Sequence, residues 1–221
     1  MTMDFWTPIR LSIEIAFVSG FIVIILGTLI GKWMAKKTFK GKTFLETVLL
    51  LPLVLPPTVV GFLLIIIFGK NSWLGQAIEW LFQQPIMFTW WAAVIASTVV
   101  AFPLMYQSAK TGFEAVDKNI ENAARIDGAK EWQVFLYISI PLAMKSIVSG
   151  GILSFTRALG EFGATLMFAG NLPGKTQTTP LAIYVAIDAG NMTLAWVWVI
   201  VMIGLSFVML LGVHFLKAPA N

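Results

Sequence analysis

Residues Glu121–Pro141 read ENAARIDGAKEWQVFLYISIP. This stretch is charged and helix-competent, yet it lies between long apolar segments. Alanines favour helix, and Ala123, Ala124, Gly128 and Ala129 keep the side chains small. Glu114, Asp117 and Glu121 precede the small residues, while Arg125 and Lys130 follow them, an order that complements a helix dipole. Gly128 falls where such a helix ends or turns. The stretch predicts a short, smooth helix on one side of a membrane protein. It reads either as a solvated surface helix between two spans or as a plug for a soluble partner.

Composition supports the membrane setting. The chain has 221 residues, 58% hydrophobic and 12% charged, with a mean hydropathy of +0.84. Soluble domains carry about 25% charged residues; half of that cannot cover a water-facing surface. Ile15–Gly31, Thr47–Gly69, Trp80–Ala109 and Ala189–Leu216 are long apolar stretches. In Lys145–Gly170 the charges are Lys145, Arg157 and Glu161. A spanning helix needs about 20 apolar residues. Continuous rather than alternating hydrophobicity favours helices over barrel strands.

The expected fold is therefore an all-α polytopic membrane protein with about five transmembrane helices, six being the alternative. The predicted spans are Ile9–Trp33, Phe44–Phe68, Ile86–Ser108, Ile138–Gly170 and Met192–Leu216. An amphipathic helix is expected around Ser72–Phe82, and Leu181–Gly190 is too short to span, so it reads as re-entrant or surface helix. The whole chain, 1–221, reads as one integral membrane domain, with a core at 9–216 and a cytoplasmic loop at 109–132.

Charge placement orients the spans. Lys32, Lys36, Lys37, Lys40 and Lys42 crowd one loop; Lys110, Lys118, Arg125, Lys130 and Lys145 crowd the region of the quoted stretch, and Lys217 lies in the tail. Arg10, Lys70 and Lys175 fall on the other side. The positive-inside rule puts the lysine-rich side in the cytoplasm, the N-terminus outside and the C-terminus inside. These membrane-flanking clusters are not the basic stripe of a nucleic-acid binder. The N-terminus reads as an uncleaved first span rather than a signal peptide.

The chain has no cysteine, which excludes disulfides and thiolate metal sites. His214 is the single histidine and has no partner at ligand spacing. GKT occurs at Gly41–Thr43 and at Gly174–Thr176. A P-loop needs a glycine five residues earlier, and Lys36 and Ala169 stand there instead. The chain lacks its own nucleotide engine, and no nucleophile–base–orienter constellation marks an enzyme.

Two intramembrane features stand out. Arg157 and Glu161 lie four apart, with Ser154, Ala158 and Thr165 at helical spacing. Buried charges in spans are costly, so they order a bundle as a salt bridge or line a polar anion path. Leu51–Thr58 carries Pro52, Pro56 and Pro57 within a predicted span. Such breaks are tolerated where they are buried or line a cavity. The proposed pathway residues are Pro56, Pro57, Thr58, Ser154, Arg157 and Glu161. Gly27 and Gly31 form a GxxxG pattern.

The spacing of Ala123, Ala124 and Gly128 and then Ile138, Ile140 and Pro141 resembles the EAA loop of ABC-importer permeases. LPLVLPPTVVGFLL (51–64) and RALGEFGATLMFAGNLPGKTQTTPLAIY (157–184) look like the molybdate members of that group. The resemblance covers nearly the whole chain. It implies a type I importer permease fold with a coupling helix, on which Glu121, Asn122, Ala123, Ala124, Asp127, Gly128 and Ala129 meet an ATPase. Asn122 stands where the family has glutamate, and Glu121 lies one position earlier. The resemblance also implies a homodimer of this chain, two ATPase subunits that bind ATP and Mg, and an extracytoplasmic molybdate-binding protein. No cofactor is expected in this chain. The remaining readings are a sulfate or tungstate permease, and a transporter acting without ATP.

Overall fold

The computed structural model describes residues 4–217, with side chains through residue 212, so His214 lies outside the described side chains. All regular structure among the described residues is helical. The elements are α1 (Trp6–Lys36), α2 (Lys42–Val54), α3 (Pro57–Phe68), α4 (Trp73–Phe82), α5 (Trp90–Glu114), α6 (Lys118–Ile126), α7 (Glu131–Val134), a π-helical turn (Phe135–Ser139), α8 (Ile140–Leu159), α9 (Gly163–Ala169), α10 (Thr179–Asp188) and α11 (Met192–Lys217).

Trp6–Lys36, Trp90–Glu114, Glu131–Leu159 and Met192–Gly212 are long and apolar enough to cross a membrane. The pair α2–α3 makes a fifth crossing if it counts as one span. The expected count of about five stands.

α1, α5 and α8 form the centre. At 1.5 Å per residue α1 is about 46 Å long, well beyond a hydrocarbon core of about 30 Å. Its glycines set the approach of α5: a Cβ on Gly27 would lie 2.6 Å from Met105 Cγ, and one on Gly31 2.9 Å from Ala109 Cβ. The GxxxG pattern is therefore a contact surface. Ala16, Val23, Ala101, Met105, Ala109, Phe113, Ala143, Ile147 and Ala158 bury together in the middle of this group. At the other end of α1, the Ser12 hydroxyl accepts from Thr179 N at 2.7 Å and pins the start of α10.

Two expectations change. The span expected at Phe44–Phe68 is two helices whose axes bend by 118°. Pro56 and Pro57 cannot donate backbone bonds, and Leu55 and Pro56 are extended, so the helix restarts with Pro57 in its first turn. α2 begins beside the Lys110 end of α5, where Lys110 pairs with Glu46 at 3.0 Å. α3 packs near the opposite end, with Val60 and Leu64 against Ala92, Ala93 and Phe168.

The span expected at Ile138–Gly170 is also divided. Helix runs over Glu131–Leu159, stops at Gly160, and resumes as the separate α9. Glu161 therefore lies past the helix end rather than on one continuous face with Arg157. Both expected short helices form: α4 at Trp73–Phe82 is capped by the Ser72 hydroxyl accepting from Gly75 N at 2.9 Å. α10 covers most of Leu181–Gly190, with Ala182 and Ala186 buried against Ile9, Ala195 and Trp198.

Gly61 is the closest contact between α3 and α9: a Cβ there would lie 2.6 Å from Met167 Cβ and 3.0 Å from Ala164 Cα. Gly61→Val should cost about 1–3 kcal/mol through overpacking and lower the thermal midpoint of the purified chain. Gly204→Ala, where no atom lies within 4 Å, should leave the midpoint unchanged or raised.

Candidate functional site

Two groups of residues emerge, at opposite ends of α1. The first is α6. The Asp117 carboxylate caps it by accepting from Asn119 N at 2.9 Å. Its far end closes as a Schellman motif: Ala129 N donates to Ala124 O at 3.0 Å and Gly128 N to Arg125 O at 3.1 Å. Gly128 has φ +90° and nothing within 4 Å of where a Cβ would be, so the glycine serves the backbone turn rather than a tight contact within this chain.

The orientation of α6 is fixed by one side chain. Glu121 is 1% exposed. Its Oε1 accepts from Lys32 Nζ at 2.7 Å and from Ser139 Oγ at 2.6 Å. Its Oε2 contacts Lys36 and lies 3.9 Å from Arg125. Lys32 also donates to Ser139 Oγ at 2.7 Å. Buried carboxylates survive only when paired in this way. With Glu121 inward, Asn122, Ala123, Ile126, Asp127 and Gly128 face out, and Ala124 and Ala129 are half-buried. Of the seven coupling residues expected from the sequence, six thus line an accessible edge, and Glu121 is the anchor behind it.

Arg125 braces the next segment. Its Nε and Nη2 donate to Glu131 at 2.6 and 3.1 Å, and its Nη1 donates to Asn122 Oδ1 at 2.8 Å. The hydrogen bonds to Glu131 raise the already high pKa of the Arg125 guanidinium. Lys32, Lys36 and Ser139 were not among the sequence candidates. The lysines read as membrane-flanking charges, and no spacing links them to a residue some 90 positions away.

The second group is where the helix breaks meet. Arg157 Nη1 donates to Glu161 Oε2 at 2.6 Å, and Glu161 Oε1 accepts from Ala164 N at 2.9 Å. A cation at the end of α8 and an anion at the start of α9 each complement a helix dipole. Glu161 is sealed, but Arg157 remains 31% exposed. Gly163 backs onto the other break: its Cβ would lie 2.9 Å from Pro57 Cβ and 3.4 Å from Thr58 N. Pro56, Pro57 and Thr58 are exposed. Arg157, Glu161, Pro57 and Thr58 are thus brought together. Ser154 is not: it is fully buried within the chain, with no partner for its hydroxyl. Among the described residues no cluster of His, Cys, Asp and Glu could hold a metal.

An all-helical chain with broken spans at one end and a braced, outward-facing short helix at the other has the fold of ABC transporter permeases. A bacterial alginate ABC transporter superposes with a TM-score of 0.74 at 14% identity, covering 97% of this chain and 80% of that one. The MetNI methionine ABC transporter gives 0.73 at 15% identity, covering 96% and 95%. The chain belongs to the family described as binding-protein-dependent transport system inner membrane component, whose pattern matches residues 23–218. It is a multi-pass membrane transport subunit rather than an enzyme. YvgM of Bacillus subtilis (strain 168), named for a molybdenum transport system permease, is 67% identical over 207 residues, 94% of this chain and 91% of that protein. The molybdenum transport system permease protein ModB of Escherichia coli (strain K12) is 40% identical over 183 residues, 83% and 80% of the two chains. The sulfate transport system permease protein CysW of Synechococcus elongatus is 33% identical over 211 residues, 94% and 73%.

Glu121→Gln removes the anion that holds Lys32 and Lys36. It should cost about 2 kcal/mol, the size of a charged hydrogen-bond pair, and expose Arg125 to trypsin. Asn122→Ala, on the exposed edge, should stay within about 0.5 kcal/mol of the parent. Thermal melting and limited proteolysis of the purified chain check both.

Proposed function

We propose that this chain is the molybdate permease of an ATP-driven importer. It works as a homodimer with two ATPase subunits and an extracytoplasmic molybdate-binding protein. Its N-terminus lies outside and its C-terminus in the cytoplasm. ATP and Mg belong to the partner ATPase. The observation that carries the molybdate reading is the 67% identity to YvgM over nearly the full chain. The lower identity to CysW favours molybdate over sulfate.

The geometry supports a division of labour. The loop 109–132 is cytoplasmic, and α6 is its docking element. Asn122, Ala123, Ala124, Asp127, Gly128 and Ala129 offer a low-relief edge to the ATPase, and Glu121 keeps that edge turned outward. A rigid mount matters because force from the ATPase reaches α1 through the Glu121–Lys32 contact instead of being absorbed by a loose loop. At the other end, the abutting breaks around Pro57 and Glu161 form a joint beside the path. There the exposed part of the Arg157 guanidinium offers donors to an anion. The binding protein selects the oxyanion, so this subunit need only pass it.

Labelled molybdate uptake tests the reading in a strain lacking its own importer, with the chain co-expressed with its ATPase and binding protein. Uptake that requires an active ATPase and resists excess sulfate is the expected result. Suppression by modest sulfate would shift the substrate to sulfate, and uptake with a dead ATPase would contradict the importer mechanism. Ala123→Leu adds bulk on the docking edge without backbone strain. It should reduce uptake and ATPase co-purification while leaving the chain's own melting temperature unchanged. Arg157→Gln should impair assembly or uptake, and a variant normal in both would remove Arg157 from the joint and the path.

A further inference from the structure

One polar surface is used by neither the docking helix nor the helix breaks. A groove of about 460 Å³ lies between α5 and α8, lined by Gln107, Ser108, Thr111, Lys145, Ser146 and Ser149 with two leucines. It sits on the side of α5 away from α1: Met105 and Ala109 face the glycines of α1, and Ser108 and Thr111 face the groove. It lies in the half of α5 nearer Glu114, hence on the α6 side of the bundle.

Three observations point to a ligand. A strip of six polar side chains on paired spanning helices does not face hydrocarbon; it faces protein or water. Among the described residues, Lys145 has no carboxylate within ion-pair distance, whereas Lys110, one helix turn or less from the groove residues of α5, is paired with Glu46 and Glu114. Gln107 and Thr111 are exposed and line the same groove beside the lysine. The lining offers one exposed cation beside hydroxyl and amide groups. That set suits a hydrated tetrahedral dianion, and no carboxylate lines the groove to repel it.

Glycines set how closely the two helices approach along the groove. A Cβ on Gly150 would lie 2.5 Å from Ser108 Cβ, and one on Gly112 2.6 Å from Ser146 Cβ. α5 and α8 therefore touch at glycine–serine contacts along the groove floor, and the longer Gln107 and Lys145 side chains stand at its rim, both exposed.

We infer that the α5–α8 groove is a transit site for the tetrahedral oxyanion on the cytoplasmic side of the permease, with Lys145 as its counter-charge and Gln107 as a neutral donor at its rim. This deepens the importer reading and rests on it. The site is weak by construction: one partly hydrated lysine and neutral donors hold an anion long enough to pass and let it leave.

The test uses the full complex of chain, ATPase and binding protein in phosphatidylcholine proteoliposomes, which removes anionic lipid as an alternative partner for Lys145. Lys145→Gln should lower molybdate uptake about tenfold, the factor for one lost charged hydrogen bond, while ATPase stimulation by loaded binding protein persists. Lys145→Arg should restore uptake to within about twofold, because the charge is retained. A second arm does not depend on uptake. The chain has no cysteine, so Thr111→Cys gives one reporter in the groove. An anionic methanethiosulfonate should label it faster than a cationic one, molybdate should slow the reaction, and Lys145→Gln should erase the anion preference. Full uptake by Lys145→Gln, or a Thr111→Cys that resists labelling in the assembled complex, would overturn the transit site alone. Absence of uptake by the wild-type complex would remove the importer reading and this site together.

Discussion

A carboxylate shut away from water needs cations around it, and the placement of Glu121 organises one end of this molecule. Its oxygens contact Lys32, Lys36 and Arg125 and accept from Ser139, so four segments converge on one group: α1, α6, the π-helical turn and, through Arg125 and Glu131, the start of α7. The π-helical turn brings Ser139 to the carboxylate, and such a turn costs helical regularity. Because the anchor sits in the first turn of α6, it also sets which face of that helix turns outward. The small residues of the proposed docking edge are available only because the one long acidic side chain among them points the other way.

The opposite end obeys the same rule with a different solution. A helix stopped inside a membrane protein leaves carbonyls and amides unpaired, and in an apolar setting each is costly. Glu161 answers for both sides of one break, taking the Arg157 guanidinium from α8 and the Ala164 amide of α9. Pro56 and Pro57 answer for the other, since a residue without an amide hydrogen leaves no donor to satisfy. Gly163 then lets the two breaks touch. Broken backbone concentrated in one place, beside a partly exposed arginine, supports the proposed path for an anion.

Much of this was legible in the sequence. Apolar length located α1, α5 and α11, and an amphipathic pattern located α4. The small-residue spacing located α6 and even its terminal glycine. The divided fourth span was not legible, because the sequence is apolar on both sides of Gly160–Gly163, Glu161 also fits a charge inside a continuous span, and hydrophobicity alone does not register a helix end. Arg157 and Glu161 at a spacing of four implied a shared face; the same spacing also fits a residue just past the helix end that caps the next helix. Glu121 was read as part of the exposed edge since its neighbours in sequence are exposed. Its burial depends on Lys32 and Lys36, which local pattern cannot pair with it. The 118° turn at Pro56 was legible as a kink but not in size, which depends on packing of α3 against α9.

The central claim is that α6, held by Glu121, is where the ATPase engages. The most direct measurement places a cysteine at Ala123 in this cysteine-free chain and cross-links it, in the assembled complex, to a cysteine on the surface of the ATPase. The account predicts a specific, near-complete cross-link that arrests transport and is released by reduction. An Ala123→Cys side chain that stays as open to water-soluble reagents with the ATPase bound as without it would contradict the account.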